Sequence, residues 1–170
     1  MATRRQDSRA GKQGDRTQDR TQDTGRKQDR RRQAEQARSD VPSTVARSGD
    51  KAVRTWKKTH DSAVETYGEG ARAHRAAFAS LKHTHEKTGD HWEPKAKAGP
   101  SDAQAAKRAP QSLRNPSRTA EGVDANASVT HLREVARDLD IAGRSTMRKA
   151  DLVEAIKKAN RRATAAARTR

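Results

Sequence analysis

Residues 50–67 read DKAVRTWKKTHDSAVETY and run into Gly68-Glu69-Gly70. Within this stretch Val53, Trp56, His60, Val64 and Tyr67 recur at steps of three and four, which places them on one face of an α-helix. Ser48 or Asp50 stands where that helix needs an N-terminal cap, and the two glycines end it. A second stripe follows, with His74, Ala77, Phe78, Leu81 and His85 on one side and Gly89 as its close. Ahead of the pair, Val41-Pro42-Ser43-Thr44-Val45 reads as a turn into a short first helix. Behind it, Asp90-His91-Trp92-Glu93-Pro94 brings one more aromatic to cover the pair. All four aromatic residues of the chain (Trp56, Tyr67, Phe78 and Trp92) fall in this island and are expected to form its core.

A second island spans 123–160. Val129, Leu132, Val135, Ala136 and Leu139 form a helical stripe, Ile141 to Thr146 break it, and Leu152, Val153, Ile156 and Ala159 form another. Thr146 is the expected cap of the second helix, with no capping box after it. Two short helices joined by an ordered loop make a marginal unit on their own.

The rest of the chain has little to bury. Of 170 residues only 16 are Leu, Ile, Val or Phe, while 38 are Lys or Arg against 22 Asp or Glu, a net charge of +16. That excludes one compact domain over the whole length, because so few large apolar side chains cannot offset the ordering entropy of every residue. No run of about 18 apolar residues is present to span a membrane, and the charged N-terminus has no apolar stretch resembling a signal peptide. The absence of cysteine removes disulfides, thiolate zinc sites and a cysteine nucleophile, and fits a reducing cytoplasm.

The charge is unevenly placed. Residues 1–39 carry +6, contain the repeat DRTQDRTQD at 15–23 and have no Leu, Ile, Val, Phe, Trp or Tyr, so a disordered basic tail is expected there. Residues 40–100 carry +3, 101–122 carry +2 and 123–160 only +1. The stretch 97–122, with Pro100, Pro110 and Pro116, is expected to be a flexible linker. Residues 161–170 add four arginines and no acid, a basic C-terminal tail.

The string from Ala73-His74-Arg75-Ala76-Ala77-Phe78 to Glu86-Lys87-Thr88-Gly89-Asp90 and Trp92, with Val41-Pro42-Ser43-Thr44-Val45 ahead of it, resembles the ChaB family over about 41–95. Gly49 stands where that family commonly has proline, and His85 where it commonly has an aromatic. The resemblance implies a helical module and a role as regulator of a cation transporter or binder of another protein partner. Residues 132–156, above all Gly143-Arg144-Ser145 with Met147-Arg148-Lys149, resemble the N-terminal domain of transcription termination factor Rho, similar in shape to SAP modules. That resemblance implies a nucleic-acid-binding accessory module in transcription termination, regulation or nucleoid organisation. The chain is not itself a Rho factor, since no phosphate-cradling Gly-x-x-x-x-Gly-Lys motif is present.

The expected fold is therefore mainly α. Two small helical modules, at 40–96 and 123–160, are joined by the linker and preceded by the disordered N-terminal tail. A helix N-terminus offers amide N–H groups and partial positive charge to a phosphate. Arg144, Ser145, Thr146, Arg148 and Lys149 cluster at such a start, and Lys157, Lys158, Arg161 and Arg162 extend the basic surface at the other end. The expected partner is DNA or RNA, held by phosphate contacts with little base readout. With every aromatic assigned to the core, stacking of bases on rings is not expected.

No catalytic site and no cofactor are expected. Five of six histidines fall within 60–91, yet His83 and His85 point to different sides of a helix and make a poor chelate, and His60 and His74 are read as core histidines, so no metal is expected. Gly68-Glu69-Gly70-Ala71-Arg72-Ala73 spells a dinucleotide fingerprint but follows a helix instead of a strand. A cytoplasmic, bacterial-type and possible nucleoid location is the expectation.

Overall fold

The computed structural model describes residues 11–107 and 111–169. It is mainly helical. The expected disorder of residues 1–10 lies outside the described residues. From Gly11 to Ala37 the chain forms a helix, α1. Only its last turns show why it docks: Ala34 and Ala37 are buried against the first module. Alanine adds almost no apolar signal to a sequence pattern, but it lets two helices approach closely. Beyond α1 a single turn, Arg38–Asp40, aims Arg38 at the module. Its guanidinium pairs with Asp50 at 2.8 Å and donates to the carbonyls of Ser48, at 3.1 Å, and Ala46.

The first module forms as its stripes require. Helix α2 (Ser43–Ala46) leads into α3 (Asp50–Tyr67) and α4 (Ala71–Thr84). Val45, Val53, Trp56, Ala77, Leu81 and Trp92 are buried in one cluster, with Phe78 packed against it. Neither Ser48 nor Asp50 caps α3. Gly49 is the cap, without a side-chain bond. Ser48 instead donates to the Thr44 carbonyl at 2.7 Å and accepts from the Trp92 amide at 2.8 Å, holding the far end of the module to its start.

Three further expectations change. Tyr67 is 51% exposed, because the last turn of α3 runs past the core, and the Arg72 guanidinium lies 3.7 Å from its ring centre. Helix α4 ends at Thr84, not at Gly89. The following residues form an antiparallel hairpin, β1 (His85–Thr88) and β2 (His91–Pro94), paired His85 to Pro94 and Thr88 to His91. Gly89 takes φ +65 in its two-residue turn, the left-handed conformation that tight hairpins need.

In the second module α6 (Val129–Asp138) is capped by Ser128, whose hydroxyl accepts from the His131 amide at 3.1 Å. Helix α7 spans Lys149–Ala166 and so includes Arg161 and Arg162. Leu132, Val135, Ala136, Leu152 and Ile156 meet between the two helices, each fully buried large side chain contributing about 1.5–3 kcal/mol. The pair is too small to close alone, and Ala120 and Val123 complete the cluster.

The described residues between the modules make contacts of their own. A short helix, α5 (Gln111–Arg114), lies within them. Asp102 is buried and accepts from the amides of Ala105 and Ala120, both at 2.7 Å, and from the Thr119 hydroxyl at 3.1 Å. Burial alone would raise its carboxyl, but these donors outweigh burial and hold it below the usual aspartate value. Polar side chains do this work, which is why an apolar pattern missed it.

The hairpin is where the two modules meet. Buried Asn160 on α7 accepts from the Gly89 amide and donates to the Lys87 carbonyl, both at 2.7 Å. Buried Glu86 meets His131 of α6 at 2.6 Å, and Lys87 donates to Thr164 at 2.8 Å. Gly122, at φ +99, passes so close to Trp92 and Lys87 that a Cβ would stand 2.8 Å from the indole.

Candidate nucleic-acid interface

The basic residues singled out from the sequence lie at both ends of α7 and in the loop before it. Asp140 (φ 52) and Gly143 (φ +71) turn the chain between α6 and α7, and the Ile141 amide bonds back to the Ala136 carbonyl at 2.9 Å. This loop is stiffened by its own side chains. Arg144 donates to the Ile141 carbonyl at 3.1 Å, and Thr146 donates to the Gly143 carbonyl at 3.0 Å. From α6, Arg133 crosses to the Ser145 carbonyl at 3.0 Å.

Thr146 is not the cap of α7. Arg148 is, and its amide is taken by Asp151 at 3.2 Å, the carboxylate half of a capping box. Asp151 therefore occupies part of the free-amide surface that a phosphate would use. Arg148 and Lys149 themselves are exposed, as are Ser145 and Thr146, with Arg144 half-buried beside them.

The other end of the helix is different in kind. Lys157 is only 7% exposed and is held between Glu154, at 2.9 Å, and Glu121, at 3.7 Å. Its hydrogen bond is the first cause that keeps the Glu154 carboxyl below the usual glutamate value. Arg161 pairs with the same Glu121 at 3.1 Å while most of its side chain remains exposed. Lys158 and Arg162 are exposed. Glu121 is thus the hub that ties the segment before the second module to α7, and nothing in the sequence marks it, since it precedes Lys157 by 36 positions.

Arg148 and Arg161 are 13 residues apart on one helix, roughly 20 Å along its axis. No single phosphate can touch both ends. Among the described residues the large apolar side chain left exposed is Tyr67, in the other module and covered by Arg72. The pattern suits contact with several phosphates and offers no platform of rings for bases.

The histidines separate as well. His83 is exposed and His85 is buried, with its ring bonded to the Thr84 hydroxyl at 2.8 Å, so the two make no chelate. His60 and His74 are the pair that meet, with ring centres 4.8 Å apart. Among the described residues no helix is long and apolar enough to cross a membrane.

No curated protein and no solved structure matches the chain. Two family models do, and they cover the two modules in turn. Residues 41–95 match the ChaB family model, and residues 125–163 match the model of the Rho termination factor, N-terminal domain.

Proposed function

We propose that the chain is a non-enzymatic nucleic-acid-binding protein that contacts phosphates through its second module, in transcription termination or regulation, or in organising the nucleoid. The observation that carries this reading is the match of 125–163 to the Rho N-terminal domain, coinciding with exposed basic side chains at both ends of α7. The loop end supplies Arg144, Ser145, Thr146, Arg148 and Lys149. The far end supplies Lys158, Arg161 and Arg162, while Lys157 serves as an interior tether through Glu154 and Glu121. A module of net charge +1 attracts polyanions through this local placement, and the +16 of the whole chain adds general attraction.

The test is fluorescence anisotropy of labelled duplex DNA and of labelled RNA with the full chain at low and moderate salt. Binding that weakens steeply with salt supports the proposal. No binding to either polymer at low salt overturns it.

The ChaB match supports a second reading, in which 41–95 recruits a transporter's cytoplasmic loop or another protein partner. Crosslinks to a protein that map onto 41–95, and persist when nucleic acid is digested, would support that role. Crosslinks that vanish on digestion would contradict it.

A further inference from the structure

The turn between α3 and α4 brings three ligand-type side chains together that the sequence keeps apart. His60 lies in the third turn of α3, His74 in the first turn of α4, and Glu69 between two glycines in the connection. Gly68 (φ +77) and Gly70 (φ +146) give that connection backbone conformations that side-chain-bearing residues rarely adopt. The chain folds back there, and Glu69 is delivered over both rings. A Glu69 carboxylate oxygen lies 3.4 Å from His60 Nε2 and 3.7 Å from His74 Nε2. One candidate ligand atom from each of the three residues lies within 4.8 Å of the others.

We propose that His60, Glu69 and His74 bind one divalent transition-metal ion, with zinc the best fit to the donor set. Bonds of about 2.0–2.2 Å from imidazole nitrogen and carboxylate oxygen at tetrahedral angles place neighbouring ligand atoms about 3.3–3.5 Å apart. Both carboxylate–imidazole separations are already close to that value. Closing the site requires a movement of little more than 1 Å between the rings.

The second observation is at His60. Its Nε2 is buried and makes no hydrogen bond, an unsatisfied polar atom of the kind that folded proteins rarely leave. The ring is held in place by packing. Trp56 stacks on it with centres 4.6 Å apart and planes 13° from parallel, and the other nitrogen, Nδ1, faces the Asp61 carboxylate at 3.7 Å. That separation is longer than a hydrogen bond, and Asp61 accepts instead from Lys57 at 2.7 Å. The His60 side chain is 12% exposed, whereas His74 and Glu69 are 47% and 66% exposed. The site therefore opens to solvent on one side, which leaves a fourth position for water or a further ligand. An ion there would pin the C-terminal end of α3 to the N-terminal end of α4, independently of nucleic-acid binding.

The experiment uses the full, untagged chain after chelator treatment. Co²⁺ is titrated by visible absorption, Zn²⁺ by calorimetry, and the imidazole resonances are followed by NMR. One ion per chain is expected, shifting the resonances of His60 and His74. Glu69→Gln and His74→Asn change exposed side chains and each should weaken binding at least tenfold, while His83→Asn, on the exposed side of α4, leaves it unchanged. Failure to bind one equivalent overturns the proposal. So does binding that survives both ligand substitutions, or resonance shifts confined to His83, His91 or His131.

Discussion

Replacing Asn160 with Ala removes one side chain that makes two bonds across the boundary between the modules. Asn160 Oδ1 accepts from the Gly89 amide and Nδ2 donates to the Lys87 carbonyl, each at 2.7 Å, and the residue is buried. In the variant both backbone groups of the hairpin turn lose their partner. An orphaned buried donor or acceptor costs about 1–3 kcal/mol, so the pair is worth about 2–4 kcal/mol once some water reaches the turn. For a chain of this size that corresponds to a fall in Tm of roughly 5–15 °C. The assay is urea unfolding followed by tryptophan fluorescence, which reads Trp56 and Trp92 in the first module, and by circular dichroism, which reads helices of both. In the parent chain the two probes should report one transition. In Asn160→Ala the midpoint should fall and the probes should separate, with helix content lost before tryptophan burial. Asn160→Asp keeps the acceptor for Gly89 and loses the donor to Lys87, and should fall between. A change below 0.5 kcal/mol, the size of an ordinary surface substitution, would refute the docking of α7 on the hairpin.

Two further predictions concern the hairpin and the segment that passes it. His85 is buried, and burial first, then the charge of Lys51, push its imidazole below the ordinary histidine value. A base held neutral in the folded chain gains its proton preferentially when unfolded, so its contribution to stability is full above about pH 6.5 and is lost as pH falls below that. His85→Phe should flatten the stability profile between about pH 7 and 5, measured by denaturant midpoints, and parallel profiles for the two chains would contradict this. Gly122→Ala combines a φ of +99 with a Cβ 2.8 Å from the Trp92 indole and 3.0 Å from Lys87 Cβ. It should cost about 2–4 kcal/mol and alter the near-ultraviolet signal of Trp92, and a neutral result would mean that the two segments do not meet closely.

The two helical cores were readable because their large apolar residues follow helical periods. Val53, Trp56, Leu81, Leu132, Leu152 and Ile156 are all buried as the stripes imply. What escaped was structure built from polar or small residues. The strand His85-Glu86-Lys87-Thr88 has no apolar alternation, and its burial comes partly from α7, far away in sequence. Ser101, Asp102 and Ala120 are buried without any hydrophobic pattern, and Ala34 and Ala37 dock α1 in the same quiet way. At the candidate interface the position of Arg144, Arg148 and Lys149 around a helix start was legible from the break between the two apolar stripes. The pairing of Lys157 and Arg161 with Glu121 was not, because a partner 36 or 40 positions distant leaves no local signal. The same holds for Glu69, whose meeting with His60 and His74 depends on the backbone of two glycines.

The most direct test of the proposed function is the salt dependence of duplex DNA binding by the full chain and by a variant with Arg144, Arg148 and Lys149 all changed to Ala. Each phosphate contact adds about 0.9 to the magnitude of the slope of log K against log salt. Three lost contacts should therefore lower that magnitude by up to about 2.7 and weaken binding at low salt. An unchanged slope and affinity in the triple variant would contradict phosphate contact at the start of α7.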